Sequence, residues 1–439
     1  MQYQPRPATP GFDRREFLKA SAAGLAAAAL PGAGAALAQE TVELTFWAWC
    51  PGSDKMSEKF MEKYPNIKIK YENVGQGAPH YVKLRDALKA GTGLPDVAQM
   101  EFNSIASFRA LDALEDMGPD GASAVGPGFV DWTWKSVSDG DKVYGIPWDS
   151  GPMGLLYRDD IFSASGIEVP ETWDAYAEAA LKLSKDKPGT FMTDFGAADA
   201  GWVAAVLWQK GWRPFHLEGT DITIAINDGI AKDWANYWQK LIDAKAVDVA
   251  PVWTSEWFAS LDNGKYASWV TAAWGPALLV SSMKDSVGKW RAAKIPQWKA
   301  GEYVSSNWGG SNFSAMKGTP HLKEATLFAT FMGADPTVAR FWNSDIFLFP
   351  VLKEVLADPA VLDHKYDFYG GQPVNQIFAE SSQHVDPSFE FAPFQDYVNT
   401  HIQDELAAAV GGKGTLAEAF DRVQDAIVEY ATDQGYTVK

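Results

Sequence analysis

The run KVYGIPWDSGPMGLLYRDDIF, Lys142 to Phe162, decides how the chain is divided. Val143 to Pro147 reads as a short apolar strand, Trp148-Asp149-Ser150 as a polar break, and Met153 to Arg158 as a second strand. A helix starts at Asp159 or Asp160, where acidic side chains suit the positive end of the helix dipole. Gly151-Pro152 sets the backbone between the strands. Such a junction lets a chain leave one α/β unit and begin another without a long loop. Taken alone, the stretch fits an ordinary strand, turn and strand within one domain equally well.

At the N-terminus, Asp13-Arg14-Arg15-Glu16-Phe17-Leu18-Lys19 resembles the twin-arginine export motif. A weakly apolar run, Ala20 to Leu30, and an Ala36-Leu37-Ala38 site follow, so residues 1–38 read as a signal peptide cut before Gln39. The run is too short and too rich in Ala and Gly to span a bilayer, which takes roughly 20 strongly apolar residues. No Cys stands at the cleavage site to carry a lipid, and charges or prolines interrupt every later apolar run. The mature protein is expected to be soluble and periplasmic, without membrane insertion.

Cleavage removes four basic and two acidic side chains, taking the formal charge from −18 to −20. That balance argues against nucleic acid or anionic lipid as a partner and leaves a neutral ligand open. With Cys50 alone, no intrachain disulfide exists, so stability rests on the core. The length suggests two or more domains of roughly 100 to 200 residues each. Nineteen Trp accompany 24 Phe and 15 Tyr, and nine of the Trp fall between Trp202 and Trp274. Core packing accounts for most such residues, Trp234 and Trp238 among them.

Along the mature chain, Val42 to Phe46 predicts a strand ending at Trp47-Ala48-Trp49. A helix over 54–63 with Ser53 as cap follows, then an alternating strand over 67–71. A helix ending at Gly91, a strand over 95–100 and a helix from Asn103 continue the pattern, which favours a parallel sheet covered on both sides. In such sheets ligands sit beyond the carboxyl ends of the strands, which groups Trp47, Trp49, Glu101 and Asn103 as a half-site. Thr172 caps a further helix, helices are expected near 228–242 and 255–261, and Tyr266 to Thr271 reads as a strand. Ala273-Trp274-Gly275-Pro276 breaks that strand and reads as a return crossing. The last hundred residues read mostly as helices, at 321–332, 337–343, 393–409 and 415–432.

Taken in order, these features resemble the extracellular solute-binding proteins of ABC importers, in the group that includes maltose- and other oligosaccharide-binding proteins. The matching stretches include Trp47-Ala48-Trp49, Gly91 to Val97, Tyr144 to Pro147 with Tyr157 to Phe162, Gly264-Lys265 leading to Trp274-Gly275, and Trp308 to Ser311. The resemblance covers residues 40–439. It implies a type II periplasmic-binding-protein fold: two α/β lobes, each a mostly parallel sheet flanked by helices, joined by a hinge. It places the lobes at 39–149 plus 272–325 and at 150–271 plus 326–439. It implies a monomer that holds a sugar, most readily an oligosaccharide, and delivers it to membrane permease subunits. Nineteen Trp exceed what a generic member carries.

Sugars present polarised C–H faces that stack on aromatic rings, and hydroxyls that need fixed donors and acceptors. Trp47, Trp49, Glu101, Asn103, Trp148, Asp149, Trp274, Trp308, Gly310 and Ser311 supply that mixture at the predicted strand ends. Trp202, Trp253 and Trp257 add platforms from the second lobe. Each has a plainer reading: Trp148 and Trp269 as packing, Asp149 as a turn cap, Glu101 as a surface ion-pair partner, and the glycines as backbone alone.

The six His show no metal-ligand spacing, and no phosphate loop or nucleophile elbow is present, so neither metal nor cofactor is expected. Two competing readings remain. A secreted glycoside hydrolase suits the aromatic load but needs two carboxylates about 5 to 10 Å apart across a scissile bond. A carrier of the same fold for a polyamine, peptide or polyol phosphate is the other, although a phosphate calls for more Arg and Lys near the strand ends.

Overall fold

A computed structural model describes residues 41–439. The signal peptide and its expected cleavage site lie outside them. The first lobe is built on a five-stranded sheet. Three of its strands are β1 (Val42–Trp47), β2 (Ile67–Glu72) and β3 (Val97–Glu101), in the order β2-β1-β3, followed by Ser311–Ala315 and then Ile146–Asp149. β1 runs parallel to both neighbours, while Ser311–Ala315 lies antiparallel between β3 and Ile146–Asp149.

Helix α1 (Ser53–Lys63) buries Met56 and Phe60, one turn apart, onto one face of this sheet. Gly52 at φ 88°, not Ser53, occupies its cap position. Helix α2 (Ala78–Ala90) ends at Gly91, whose φ of 65° suits the left-handed cap. Together with α3 (Phe102–Ala110) it covers the other face through Tyr81, Leu84, Ile105 and Phe108.

The second lobe centres on Met153–Arg158, flanked by Ser268–Ala272 and Trp290–Lys294. Its pleat divides two cores, because successive side chains point to opposite faces. Met153 and Leu155 join Trp173, Trp202, Trp234 and Trp238 on one side; Leu156 joins Trp269, Trp290 and Phe378 on the other. Gly154 lies against Phe378, where a Cβ would come within 2.7 Å of the ring.

The first lobe's sheet is mixed where a mostly parallel one was expected: β1 pairs parallel with β2 and β3, both pairings of Ser311–Ala315 are antiparallel, and four of the five strands share one direction. In the second lobe's central sheet all three strands pair antiparallel, because Met153–Arg158 returns directly from the junction and its neighbours arrive from the opposite direction. The chain also does not recross at residue 272. Trp274 leads into the helix Gly275–Ser282, and Trp290–Lys294 then pairs with Met153–Arg158. Recrossing comes between Lys294 and Ser311. The helices Leu322–Ala334 and Pro336–Ser344 pack on the first sheet rather than the second, burying Phe328, Met332 and Trp342 there.

Where the chain passes between sheets, the two passages are bonded to each other. The Gly151 N–H donates to Asn307 Oδ1 at 2.8 Å, and the Trp308 N–H donates to the Gly151 carbonyl at 2.8 Å. A Cβ at Gly151 would lie 1.9 Å from the Trp308 carbonyl oxygen, so only glycine fits. Gly309 and Gly310 turn the chain at φ 80° and 84°. The Phe349 carbonyl accepts the Ser150 N–H at 3.1 Å, drawing a third segment to the same place.

Trp148 and Asp149 sit at this junction and differ from their expected roles. Trp148 is 2% exposed, its ring stacked 5.2 Å from Phe313 and edge-on to Trp342 at 4.8 Å. The strand's alternation turns it into the first core. Asp149 is buried and accepts the Ser311 N–H at 2.7 Å, beside a bulge in the strand pairing. Burial pushes its carboxyl up to about 7; the Ser311 N–H opposes this and the charge of Glu101 adds to it.

Two outcomes are expected. Trp148→Ala should cost about 3 to 5 kcal/mol in denaturant unfolding, the scale of a large aromatic lost from a packed core. Asp149 has a folded pKa above its unfolded value of about 3.9. Its contribution to stability is therefore fully present below that value and lost as pH rises through about 7. Asp149→Asn should flatten the fall in melting temperature between pH 5 and pH 8; an unchanged slope would refute the assignment.

Candidate functional site

Two adjoining cavities share Trp308: the first lies against the second lobe, and the second opens between the two lobes. The first is walled by Trp202, Trp253, Trp257, Trp269 and Trp308, with Thr193, Asp194 and Asp199 among the polar side chains. The second joins Glu101 and Asn103 of the first lobe to Trp208, Gln395 and Asn399 of the second, with Asn307 and Gly309 from the passage between them.

Helix starts position much of this wall. Asp199 caps the helix Ala200–Lys210, its Oδ1 accepting the Trp202 N–H at 3.0 Å. Its Oδ2 accepts the Trp253 indole N–H at 2.8 Å. Gly201 lies under Trp308, where a Cβ would sit 2.7 Å from the indole nitrogen. Thr254 caps the helix Ser255–Asp262, which carries Trp257. Trp253 itself has φ 65°, a left-handed conformation unfavourable for a bulky side chain, and is 41% exposed. Its ring centroid lies 5.3 to 6.0 Å from those of Trp257, Trp269, Trp274 and Trp308. Trp274 is fixed behind this group, its indole N–H donating to the Trp308 carbonyl at 2.7 Å.

The carboxylates are desolvated. Burial pushes Asp194 up to about 6, an effect the neighbouring Trp257 indole opposes and the charges of Asp248 and Asp199 reinforce. Burial likewise raises Asp199 and Glu101. Glu101 accepts the Tyr81 hydroxyl at 3.2 Å and does not form the surface ion pair weighed for it.

Of the residues singled out in the sequence, Trp202, Trp253, Trp257 and Trp308 meet around the first cavity, and Glu101 and Asn103 line the second. Trp202 is nevertheless anchored in the core, its indole N–H bonded to the Val270 carbonyl at 3.1 Å. Trp47 and Trp49 line neither cavity. They pack edge-on around His80, at 6.5 and 4.8 Å between ring centroids, because α2 folds over the end of β1. Gly310 and Ser311 form the turn: a Cβ on Gly310 would come within 2.7 Å of Phe102, and Ser311 is buried against Asp149.

Asp194 and Asp199 went unnoticed in the sequence. Asp199 reads as a helix cap, which it also is. Asp194, inside the apolar run Phe191 to Phe195, carried a signal, since an aspartate among buried side chains requires a reason. Cys50 is buried, and burial pushes its thiol upward, away from nucleophilic use. Among the described residues no cluster of His, Cys, Asp and Glu is arranged to hold a metal ion, and no helix is long and apolar enough to cross a membrane.

A twin-arginine translocation signal sequence matches residues 11–31, and the protein is exported to the periplasm. A lactose-binding protein of Rhizobium radiobacter is 28% identical over 96% of this chain and 100% of its own length. An arabinooligosaccharide-binding protein of Bacillus subtilis is 25% identical, covering 87% of this chain and 90% of that one. Among solved structures, an ABC transporter associated binding protein from B. animalis subsp. lactis, in complex with β-1,6-galactobiose, has a TM-score of 0.80. It is 30% identical over 91% of this chain and 100% of that chain. The match to the bacterial extracellular solute-binding protein family extends over residues 52–339, and the chain belongs to that family.

Proposed function

We propose that this protein captures a short oligosaccharide between its two lobes and hands it to the permease of an ABC importer, without altering it. The observation that carries the reading is the pair of cavities sharing Trp308, one walled by indoles and the other by amides and a carboxylate. Indole faces suit the C–H surface of a pyranose, and Asn103, Asn307, Gln395 and Asn399 suit its hydroxyls. The names of the relatives, which bind lactose, arabinooligosaccharide and β-1,6-galactobiose, support a saccharide of two or more units. They are binding proteins, which favours carriage over hydrolysis.

Our division of the chain follows the packing. One lobe comprises about 42–149 with about 311–361, the other about 153–294 with about 368–439, and the bonded passages between them act as the hinge. Ligand contacts are assigned to Trp253, Trp257, Trp269, Trp308, Asp194 and Asp199 in the first cavity and to Glu101 and Asn103 in the second.

Mass spectrometry of the freshly purified protein should reveal a retained saccharide, and calorimetry with lactose, β-1,6-galactobiose and arabinobiose should find at least one that binds. Trp253→Ala should then weaken binding by about 1 to 3 kcal/mol, the range for a buried aromatic contact. Its melting temperature should hold, because the side chain is partly exposed and its backbone strained. Unchanged affinity in this variant would displace the proposed pocket.

A further inference from the structure

The charge around the two cavities has one sign. Asp194 and Asp199 line the first and Glu101 the second, and among the described residues neither cavity is lined by a Lys, Arg or His. The charges acting on these carboxylates are themselves negative: Asp396 and Asp199 on Glu101, Asp248 and Asp199 on Asp194. The cations in contact with the outer members of this set are already engaged, Arg85 with Asp396 and Lys265 with Asp248. Asp396 and Asp248 are thus offset by their own partners, whereas among the described residues Asp194, Asp199 and Glu101 form no ion pair, and low local polarity strengthens the field of these three.

A second observation concerns the guest rather than the field. The Trp257 indole N–H belongs to a side chain only 2% exposed that lines the first cavity; it lies beside Asp194 but makes no hydrogen bond of normal geometry. A buried donor left unmatched is costly, and a ligand oxygen would satisfy it. An uncharged hydroxyl or ring oxygen fits beside Asp194, because it can donate to the carboxylate as well as accept from the indole. A second carboxylate there would face Asp194 and Asp199 as a like charge.

Resting on the saccharide reading above, we propose that the cleft is a charge filter: it takes neutral and amine-bearing saccharides and rejects those carrying a carboxylate. An ammonium group would gain from the carboxylates and from the indole faces alike. Discrimination of this kind comes from repulsion built against the wrong guest as much as from contacts to the right one.

The test uses the mature protein and calorimetry with four probes: β-1,6-galactobiose, its 6′-carboxylate, its 6′-carboxamide and its 6′-amino analogue. The carboxamide matches the carboxylate in shape without the charge. It should bind within a few-fold of the parent sugar, and the amine at least as well as the parent. The carboxylate should bind at least about tenfold more weakly than the carboxamide, the scale of one uncompensated like charge several ångströms away. Asp194→Asn and Glu101→Gln should narrow that gap. A carboxylate bound within twofold of the carboxamide would overturn the filter while leaving the saccharide reading intact. Failure of the neutral galactobiose, lactose and arabinobiose alike to bind would overturn the saccharide reading and this inference with it.

Discussion

Everything in this fold depends on the hydrogen bonds that join one passage of the chain to the other. The Gly151 backbone both donates to Asn307 and accepts from Trp308, at a distance that leaves no room for a side chain. Two strands bonded in this way bend together and resist sliding past each other. The residues at this crossing are thereby fixed in both position and direction. Trp308 is one of them, and for that reason it reaches both cavities.

The same constraint explains how the indoles are divided. Trp148 belongs to the strand before the junction and turns inward, as alternation requires, to fill the first core. Trp253, Trp257, Trp269 and Trp274 come from the second lobe and gather beside the passage, where Asp199 ties Trp253 down. Contacts across the cleft add to this closure: Arg85 meets Asp396, and the Trp132 indole donates to the Ser382 carbonyl at 3.1 Å.

Much of this was legible from residue order. The opening β-α-β pattern, the Thr172 cap and the helices beginning at Leu322, Gln395 and Leu416 follow from periodicity and capping chemistry. So did the two strands on either side of Gly151-Pro152, which join different sheets. The return passage was misplaced at Trp274, because a Gly-Pro break that begins a helix looks the same in sequence as one that leaves a lobe. Trp290–Lys294 escaped notice for a related reason: Trp-Arg-Ala-Ala-Lys has weak strand character and becomes a strand only through its antiparallel partner. Site residues were harder still. Trp47 and Trp49 stand at a strand end where ligands generally sit, yet they pack partly buried around His80 of α2 and line neither cavity, and no local pattern reports how a helix will lean.

One consequence follows from the sheet order. Ser311–Ala315 separates β3 from Ile146–Asp149, so the first lobe's sheet is interrupted until that late segment is made. A ribosome will have released every strand of the second lobe's central sheet before the first can close. The sheet begun first is thus closed after the one begun second, and until then β3 offers an unpaired edge to any neighbouring chain.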